Sequence, residues 1–325
     1  MSVVINRIKL VKTLDMLREK KVSMAVFATS SHWNTEAILL AASKFAKKYE
    51  IQYIPVAVAI TYNYGHMPQA IRVTYEGNPR HGFLSIMEHL KILCNSSDSP
   101  YSNVTVFPHL DHGDPFRDKW ALTEGLPYLS SVMFDAQKYP FEENIEMTKD
   151  YVKKYGCNII VEGIMDELAV EGSSKGTGDD TFAEKAFDFI SRTGVDLLVA
   201  NLGTEQQSTS AGNCTYLSER AKNITEKVGK AVLVLHGTSC LLEDQLGDVV
   251  KDGVIRLNIW SKIARQAGQY AARKIVERIR KIEEGDFEST ESRQYIFDSI
   301  INAEETMENM LGAIGYQRLA GISIG

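Results

Sequence analysis

The sequence lacks the features of several common classes of protein. No segment approaches the roughly 18 uncharged apolar residues that a membrane-spanning helix needs, and the charged residues 1–21 do not resemble a secretory signal. There is no basic stripe, because 36 Lys and Arg are outnumbered by 42 Asp and Glu, for a net charge of −6. We therefore expect a cytoplasmic protein that binds neither membranes nor nucleic acid.

Cysteines are few, and none are paired in a CxxC motif. Four occur, at Cys94, Cys157, Cys214 and Cys240. This spacing indicates neither a disulfide framework nor a thiolate zinc site, so we expect all four to be reduced. The GxGxxG and P-loop turns that bind nucleotides after an early strand of an open sheet are absent as well.

The sequence does contain a regular alternation of short apolar runs and helical segments. Eight runs predict strands: Met24–Thr29, Ile51–Ile60, Val104–Leu110, Ser131–Asp135, Asn158–Glu162, Asp196–Asn201, Ala231–Leu235 and Val254–Asn258. Eight such units without a break in composition favour one (β/α)8 TIM-barrel domain over residues 1–325 rather than an open sheet.

Further helices are predicted around the barrel units. One precedes the first strand, at Asn6–Lys20, and one follows the third strand, at Phe116–Glu124. A long helix is predicted at Lys262–Glu284, and an appended C-terminal helix from Ser292 to about Ala313. The appended helix could pack within the chain or against a second subunit.

Polar residues stand where the predicted strands end. In a barrel these ends meet at one mouth, and the residues there are Asp111, His112, Asp135, Glu162, Glu205, Gln206, His236 and Asn258. Two imidazoles on different strands with carboxylates nearby suit a divalent metal such as zinc, with a position left open for substrate. Asp111, beside a candidate ligand, could move protons. Backbone N–H groups after His236 could seat an anion.

Weaker candidates compete with this interpretation. The His109–His112 pair could be two ordinary polar side chains in a loop. His66, in the long aromatic segment Thr61–Gly82, is an outside candidate for a further metal ligand. Schiff-base chemistry would need a lysine at a strand end, and Lys262 more naturally begins the last barrel helix.

The motif His109-Leu-Asp-His-Gly113 resembles the metal-binding motif of class II, metal-dependent fructose-bisphosphate and tagatose-bisphosphate aldolases. The similarity continues in order from about Val104 to Ser261, through these segments: Ser131–Ala136, Pro140–Ile145, Thr193–Leu198, Gly203-Thr204, Leu233–Gly237 and Leu257–Ile259. It implies a lyase that joins or splits a ketose phosphate or a related carbonyl compound, and a homodimer or homotetramer.

The resemblance also implies roles for individual residues. Asp111 matches the proton-transferring aspartate, and His112 and His236 match two of three zinc ligands. Glu162 matches an acid of the metal region, which we take as a second catalytic candidate. The predicted substrate and phosphate site comprises Gly203, Gly237, Ser239, Asn258, Trp260 and Ser261.

The sequence departs from the family pattern at several of these positions. Gln206 stands in place of the third histidine, where Glu205 could substitute, and Gln207 replaces a glycine. An amide oxygen is a poor zinc ligand beside imidazole. Ile164 replaces a second acid, and Trp260 replaces a carboxylate of the phosphate site. Two hypotheses follow: a working lyase with an altered metal set and substrate, or a binding or regulatory protein that has lost the chemistry.

Overall fold

The computed structural model describes residues 2–168, 181–206, 208, 212 and 214–322. Eight parallel strands form a closed barrel in sequence order: β1 (Met24–Ala28), β2 (Ile54–Thr61), β3 (Val104–Gly113), β4 (Ser131–Phe134), β5 (Ile160–Ile164), β6 (Leu197–Val199), β7 (Leu233–Leu235) and β8 (Val254–Ile259). Nearly every strand residue is buried, because helices cover the outer face and side chains fill the interior. The predicted (β/α)8 TIM barrel is confirmed.

Twelve helices are present in the described residues: α1 (Arg7–Lys20), α2 (His32–Lys48), α3 (Pro79–Asn95), α4 (Lys119–Leu122), α5 (Phe141–Tyr155), α6 (Phe182–Thr193), α7 (Ser218–Val228), α8 (Glu243–Lys251), α9 (Ser261–Glu277), α10 (Ile279–Glu283), α11 (Phe287–Thr290) and α12 (Ser292–Ala313). Among the residues described, none of these helices is both long and apolar enough to cross a membrane.

The N-terminal helix α1 is attached to the barrel by a buried stripe and by an ion pair. Leu10, Leu14 and Leu17 recur at helical spacing and are almost completely buried. Arg7 donates from two guanidinium nitrogens to the carboxylate of Asp196, at 2.7 and 2.6 Å. A bidentate pair of this kind fixes orientation as well as contact, so α1 is held to the segment that leads into β6.

The appended helix α12 packs within the chain. It lies against α2 and α9, and Lys44 of α2 donates to the buried carboxylate of Glu304 at 2.6 Å. The predicted appended helix is therefore confirmed in an intramolecular position. Contact of α12 with a second subunit stays a prediction.

Three helices differ from the sequence-based prediction. Helix α8 was not predicted, because only Leu246 and Val249 of its nine residues are buried and so short an apolar stripe shows no period. The predicted helix Lys262–Glu284 is divided into α9 and α10. The helix after β3 is shortened to α4, because Asp114 Oδ1 accepts the backbone N–H groups of Phe116 and Arg117 in a turn.

The expectation that all four cysteines are reduced is wrong. Cys214 and Cys240 form a disulfide that spans 26 residues of sequence, while Cys94 and Cys157 are free. Such a pair carries no spacing signal. It forms because the barrel brings the segment after β6 beside the turn after β7.

Candidate functional site

A cavity opens at the carboxyl ends of the strands, where a barrel places its chemistry. Its lining comes from the ends of six strands, β1, β2, β3, β6, β7 and β8, or from the segments that follow them: Ala28, Thr61, Tyr64, Met67, Gln69, Asp111, His112, Gln206, His236, Gly237, Thr238, Ser239, Asn258, Ile259, Trp260 and Ser261. Nine of the twelve predicted site residues belong to this lining.

Asp111, His112 and His236 form a compact group that could hold a metal ion. One ligand atom from each lies within 4.8 Å of the others, and all three side chains are buried. The two imidazole rings stand 4.9 Å apart at 78°, and His236 Nε2 lies 3.9 Å from Asp111 Oδ1. Asp111 and His112 thus lie close to His236, although more than 120 positions of sequence separate them.

An irregularity in β3 turns two consecutive residues toward the cavity. Successive strand residues normally point to opposite faces. Here His112 has φ of +49°, in the left-handed region that residues other than glycine rarely adopt, and the pairing of β3 with β4 shifts register between Leu110 and Gly113. Such a bulge re-aims side chains next to active sites. It explains how Asp111 and His112 both line the cavity.

The imidazole of His112 contacts Asp135 at its edge and Tyr64 on its face. Its Nδ1 lies 2.7 Å from Asp135 Oδ2, which places the proton on Nδ1 and leaves Nε2 free for a metal. The ring of Tyr64 stacks on it at 4.0 Å and 8°. Burial alone would lower the pKa of His112, but the charges of Asp111 and Asp135 outweigh burial and raise it.

Asn258 links Asp111 to His236. Its Nδ2 donates to Asp111 Oδ1 at 3.2 Å and lies 3.1 Å from His236 Nε2. Burial raises the pKa of Asp111 and lowers that of His236. Asn258 Oδ1 and Ser239 Oγ have no hydrogen-bond partner within the described part of the chain, so both can contact a ligand in the cavity.

The turn after β7 is built so that its backbone can approach the neighbouring segment closely. Gly237 has φ of +76°, and a Cβ there would lie 2.8 Å from the carbonyl of Glu205. Thr204 Oγ1 donates to the carbonyl of His236 at 2.6 Å. The segment after β6 therefore supports the backbone at His236.

Three predicted residues lie outside the cavity lining. Glu162 is fully buried inside the barrel, where Arg256 donates to its Oε1. Glu205 is packed behind Gly237, and Gly203 packs on the backbone of Thr215. Of the adjacent glutamines, Gln206 lines the cavity, while Gln207 lies outside the described residues.

The other predicted candidates lie away from the metal group. His66 contacts the edge of Tyr64, with ring centroids 5.4 Å apart, and is not part of the group formed with His112. Lys262 donates to Glu243 at 2.9 Å, as expected for a residue at the start of α9.

Two residues near the site were not identified from the sequence. Tyr64 was noted only as part of an aromatic segment, and its contact with His112 depends on how that segment folds back. Arg256 could have been recognised from the sequence, because this charged residue interrupts an apolar strand two positions before Asn258. A buried charge of this kind needs a partner, which proves to be Glu162.

Comparison with known proteins places this arrangement in a family. The family model described as "Fructose-bisphosphate aldolase class-II" matches residues 8–317. The chain belongs to the class II fructose-bisphosphate aldolase family. This confirms the resemblance drawn from the motif around Asp111 and extends it to nearly the whole chain.

Curated relatives of this aldolase family match about half of the chain. Fructose-bisphosphate aldolase of Giardia intestinalis is 32% identical over 166 residues, 49% of this chain and 50% of the relative. A 6-phospho-5-dehydro-2-deoxy-D-gluconate aldolase of Shouchella clausii is 34% identical over 165 residues, 48% of this chain and 53% of the relative. The chain thus spans about half the length of the curated relatives that it matches.

Solved structures share the fold over almost the full length. The crystal structure of fructose-bisphosphate aldolase from Campylobacter jejuni has a TM-score of 0.78 at 19% identity, covering 96% of this chain and 95% of that chain. The YdjI aldolase from Escherichia coli K12 has a TM-score of 0.61 at 19% identity, covering 93% and 96%. At this identity the likeness concerns the fold alone.

Proposed function

We propose that this protein is an aldolase-type carbon–carbon lyase that catalyses aldol addition or retro-aldol cleavage of a ketose or related carbonyl compound. The observation that carries the proposal is the group of Asp111, His112 and His236 at the barrel mouth, in a chain that belongs to the class II aldolase family. A binding protein without chemistry would have no need for a strained backbone that presents two of these groups side by side.

A divalent metal fits the residues present. His112 and His236 would hold it, with His112 oriented by Asp135. When bound, such an ion polarises a carbonyl oxygen and stabilises the enediolate form of the donor. Zinc is the ion that the family resemblance predicts, but the proposal requires only a divalent ion.

Asp111 is the residue that we assign to proton transfer. In the cleavage direction it would accept the proton of the substrate hydroxyl while the carbon–carbon bond breaks and its electron pair moves toward the carbonyl group. In the addition direction it would return that proton to the new hydroxyl. Burial raises the pKa of the Asp111 carboxyl, which strengthens it as a base. Asn258, bonded to Asp111 Oδ1, orients it.

Glu162, the second catalytic candidate, is assigned a different place. It does not line the cavity, and Arg256 binds its carboxylate inside the barrel. We therefore assign Glu162 to the support of the strands that carry the site.

The remaining lining residues indicate the kind of substrate. No Lys or Arg is found in the lining contributed by the described residues. Ser239 Oγ and nearby backbone groups are neutral donors, and Trp260 offers an apolar ring. Fructose 1,6-bisphosphate, with two charged phosphates, should be a poor substrate, whereas a carbonyl compound with one phosphate or none fits better. A homodimer or homotetramer, expected from the resemblance, stays a prediction.

A substrate screen tests the lyase assignment. Purified protein is incubated with ketoses, ketose phosphates and aldol acids, and carbonyl products are quantified. We expect turnover with at least one of them and a fall of about 10²- to 10⁴-fold for Asp111→Asn, which removes the proton acceptor. Turnover that is unaffected by this substitution would remove Asp111 from its role. Efficient cleavage of fructose 1,6-bisphosphate would contradict the substrate argument while leaving the lyase assignment intact.

A further inference from the structure

All seven histidines of the chain lie in the described residues, and only two face the cavity. His109 Nδ1 lies 2.9 Å from Ser131 Oγ inside the barrel. His66 contacts Tyr64, outside the metal group. The others lie elsewhere: His32 and His89 contact each other and His81 pairs with Glu76. The chain therefore supplies at most two imidazoles, from His112 and His236.

Thiolate ligands are equally unavailable to the site. Cys214 and Cys240 are joined in a disulfide. Cys94 is buried in α3, and Cys157 is exposed beyond the end of α5. The positions outside the described ranges contain neither histidine nor cysteine. Any further ligand from this chain must accordingly be an oxygen atom.

Oxygen donors are present beside the two imidazoles. Asp111 Oδ1 lies 3.9 Å from His236 Nε2, and Gln206 lines the same cavity. Two ligands that bind one ion at about 2.1 Å lie about 3.0 Å apart at a right angle and about 3.4 Å apart at the tetrahedral angle. A shift of less than about 1 Å would bring Asp111 and His236 onto one ion.

We propose that the metal ion of this site is bound by two imidazoles and a carboxylate, from His112, His236 and Asp111, within a sphere of five or six ligands. This inference rests on the divalent ion of the proposed function and specifies its ligands. Zinc prefers about four ligands, and its catalytic sites include sets of two histidines and one carboxylate with water as the fourth ligand, so the number of ligands and not their type distinguishes it. Two histidines and one carboxylate with open positions suit six-ligand ions such as Mn²⁺, Fe²⁺ or Co²⁺.

The proposal gives Asp111 two tasks that one carboxylate can perform. One oxygen binds the ion, and the other accepts or returns the proton of the substrate hydroxyl. Asn258 Nδ2, which donates to Asp111 Oδ1 at 3.2 Å, keeps the carboxylate in a fixed orientation for both tasks. Gln206, which stands at the position where the family resemblance expects a third histidine, lines the same cavity.

The test is the visible absorption spectrum of the full-length protein after metal removal and titration with Co²⁺. Tetrahedral Co²⁺ absorbs visible light far more strongly than six-ligand Co²⁺. We expect weak bands for the unchanged protein and intense bands for Gln206→His, which offers a third imidazole at the cavity wall. Gln206→Leu, of similar size and without a donor atom, is the matched control and should retain weak bands.

A competition measurement gives a second readout that does not depend on activity. The ratio of Mn²⁺ to Zn²⁺ dissociation constants should rise about tenfold or more in Gln206→His, because zinc gains more than manganese from an added imidazole. Zinc binds most nitrogen and oxygen sites more tightly than manganese does. The informative quantity is therefore the change in the ratio between the unchanged protein and the variant, and not which of the two ions binds more tightly.

The outcomes separate the inference from the proposed function. Intense bands for the unchanged protein would overturn the inference and leave a metal-dependent lyase in place. Equal and negligible Co²⁺ binding by the unchanged protein and by His112→Ala would overturn both the inference and the metal part of the proposed function. If Gln206→His fails to fold, the spectrum of the unchanged protein still decides the question.

Discussion

Two polar layers lie one above the other inside this barrel, and the same strands carry both. On β3, His109 belongs to the lower layer and Asp111 to the upper, two residues further on. On β8, Arg256 and Asn258 are related in the same way. The upper layer lines the cavity, whereas the lower layer, which also contains Glu162, has no exposure to solvent.

The residues of the lower layer contact one another inside the barrel. Arg256 binds Glu162 and donates to Ser131 Oγ at 3.2 Å, and His109 Nδ1 lies 2.9 Å from the same Ser131 oxygen. Polar atoms without a hydrogen-bond partner among the described residues occur in both layers. Those of the lower layer, on His109, Glu162 and Arg256, are buried inside the barrel. Those of the upper layer, Asn258 Oδ1 and Ser239 Oγ, belong to residues that line the cavity and can meet a ligand. We therefore propose that polar residues two positions apart on a strand serve stability at one depth and chemistry at the other, because depth decides whether a substrate can reach them.

The largest expected effect concerns the lower layer. Arg256→Met should lower the free energy of unfolding by about 3–5 kcal/mol, because it leaves the carboxylate of Glu162 buried without a counter-charge. Urea denaturation measures this. Arg256→Met combined with Glu162→Gln should recover part of the loss. If Arg256→Met is instead stable but inactive, the lower layer belongs to the catalytic machinery and the distinction between the two layers fails.

Glu162, the buried acid of the lower layer, should make the free energy of unfolding depend on pH. Burial raises the pKa of Glu162 to about 7 in the folded protein, above the value near 4.3 that is usual in an unfolded chain. A raised folded pKa favours folding at low pH, and this contribution is lost as the pH rises from about 4 through about 7. Between pH 5 and pH 8 the loss is up to about 3 kcal/mol. Glu162→Gln should flatten this slope in urea titrations, although it lowers stability overall; an unchanged slope would mean that Glu162 is not its source.

A smaller effect on activity is expected for the residue that orients the upper layer. Asp135→Asn keeps a hydrogen-bond acceptor near His112 Nδ1 but removes the charge. We expect metal affinity and turnover to fall by about 10- to 100-fold, with thermal stability nearly unchanged. Metal titration together with a thermal melt separates the two quantities. A large loss of stability at constant metal affinity would place Asp135 with the structural layer.

The smallest effect is expected for Ser131, whose hydroxyl contacts both His109 and Arg256 in the lower layer. Ser131→Ala should cost about 1 kcal/mol of stability, because it removes an oxygen that contacts His109 and Arg256, and turnover should stay within about twofold. Ser130→Ala is the matched control, because the Ser130 hydroxyl donates to the carbonyl of Pro108 instead. A larger loss of turnover for Ser131→Ala than for its neighbour would show that the layers are coupled.

Much of this protein was predictable from local patterns. Continuous apolar runs with helical stretches between them predicted eight strands, and the strand ends pointed to Asp111, His112, His236 and Asn258. The eight strands are confirmed, because a parallel strand buried on both sides must be apolar along its length. The polar residue that ends such a strand is then conspicuous in the sequence, and these four residues line the cavity.

Only the tertiary structure shows which polar residues lie at the same depth inside the barrel. The disulfide between Cys214 and Cys240, the pairing of Glu162 with Arg256 and the contact of Tyr64 with His112 join residues that no spacing connects. The bulge that turns His112 into the cavity likewise depends on the register between β3 and β4. Sequence thus determined which residues end the strands, while the closure of the barrel determined which of them meet. The physical reason is that hydrophobic periodicity is a local property, whereas register and depth follow from packing across the whole barrel.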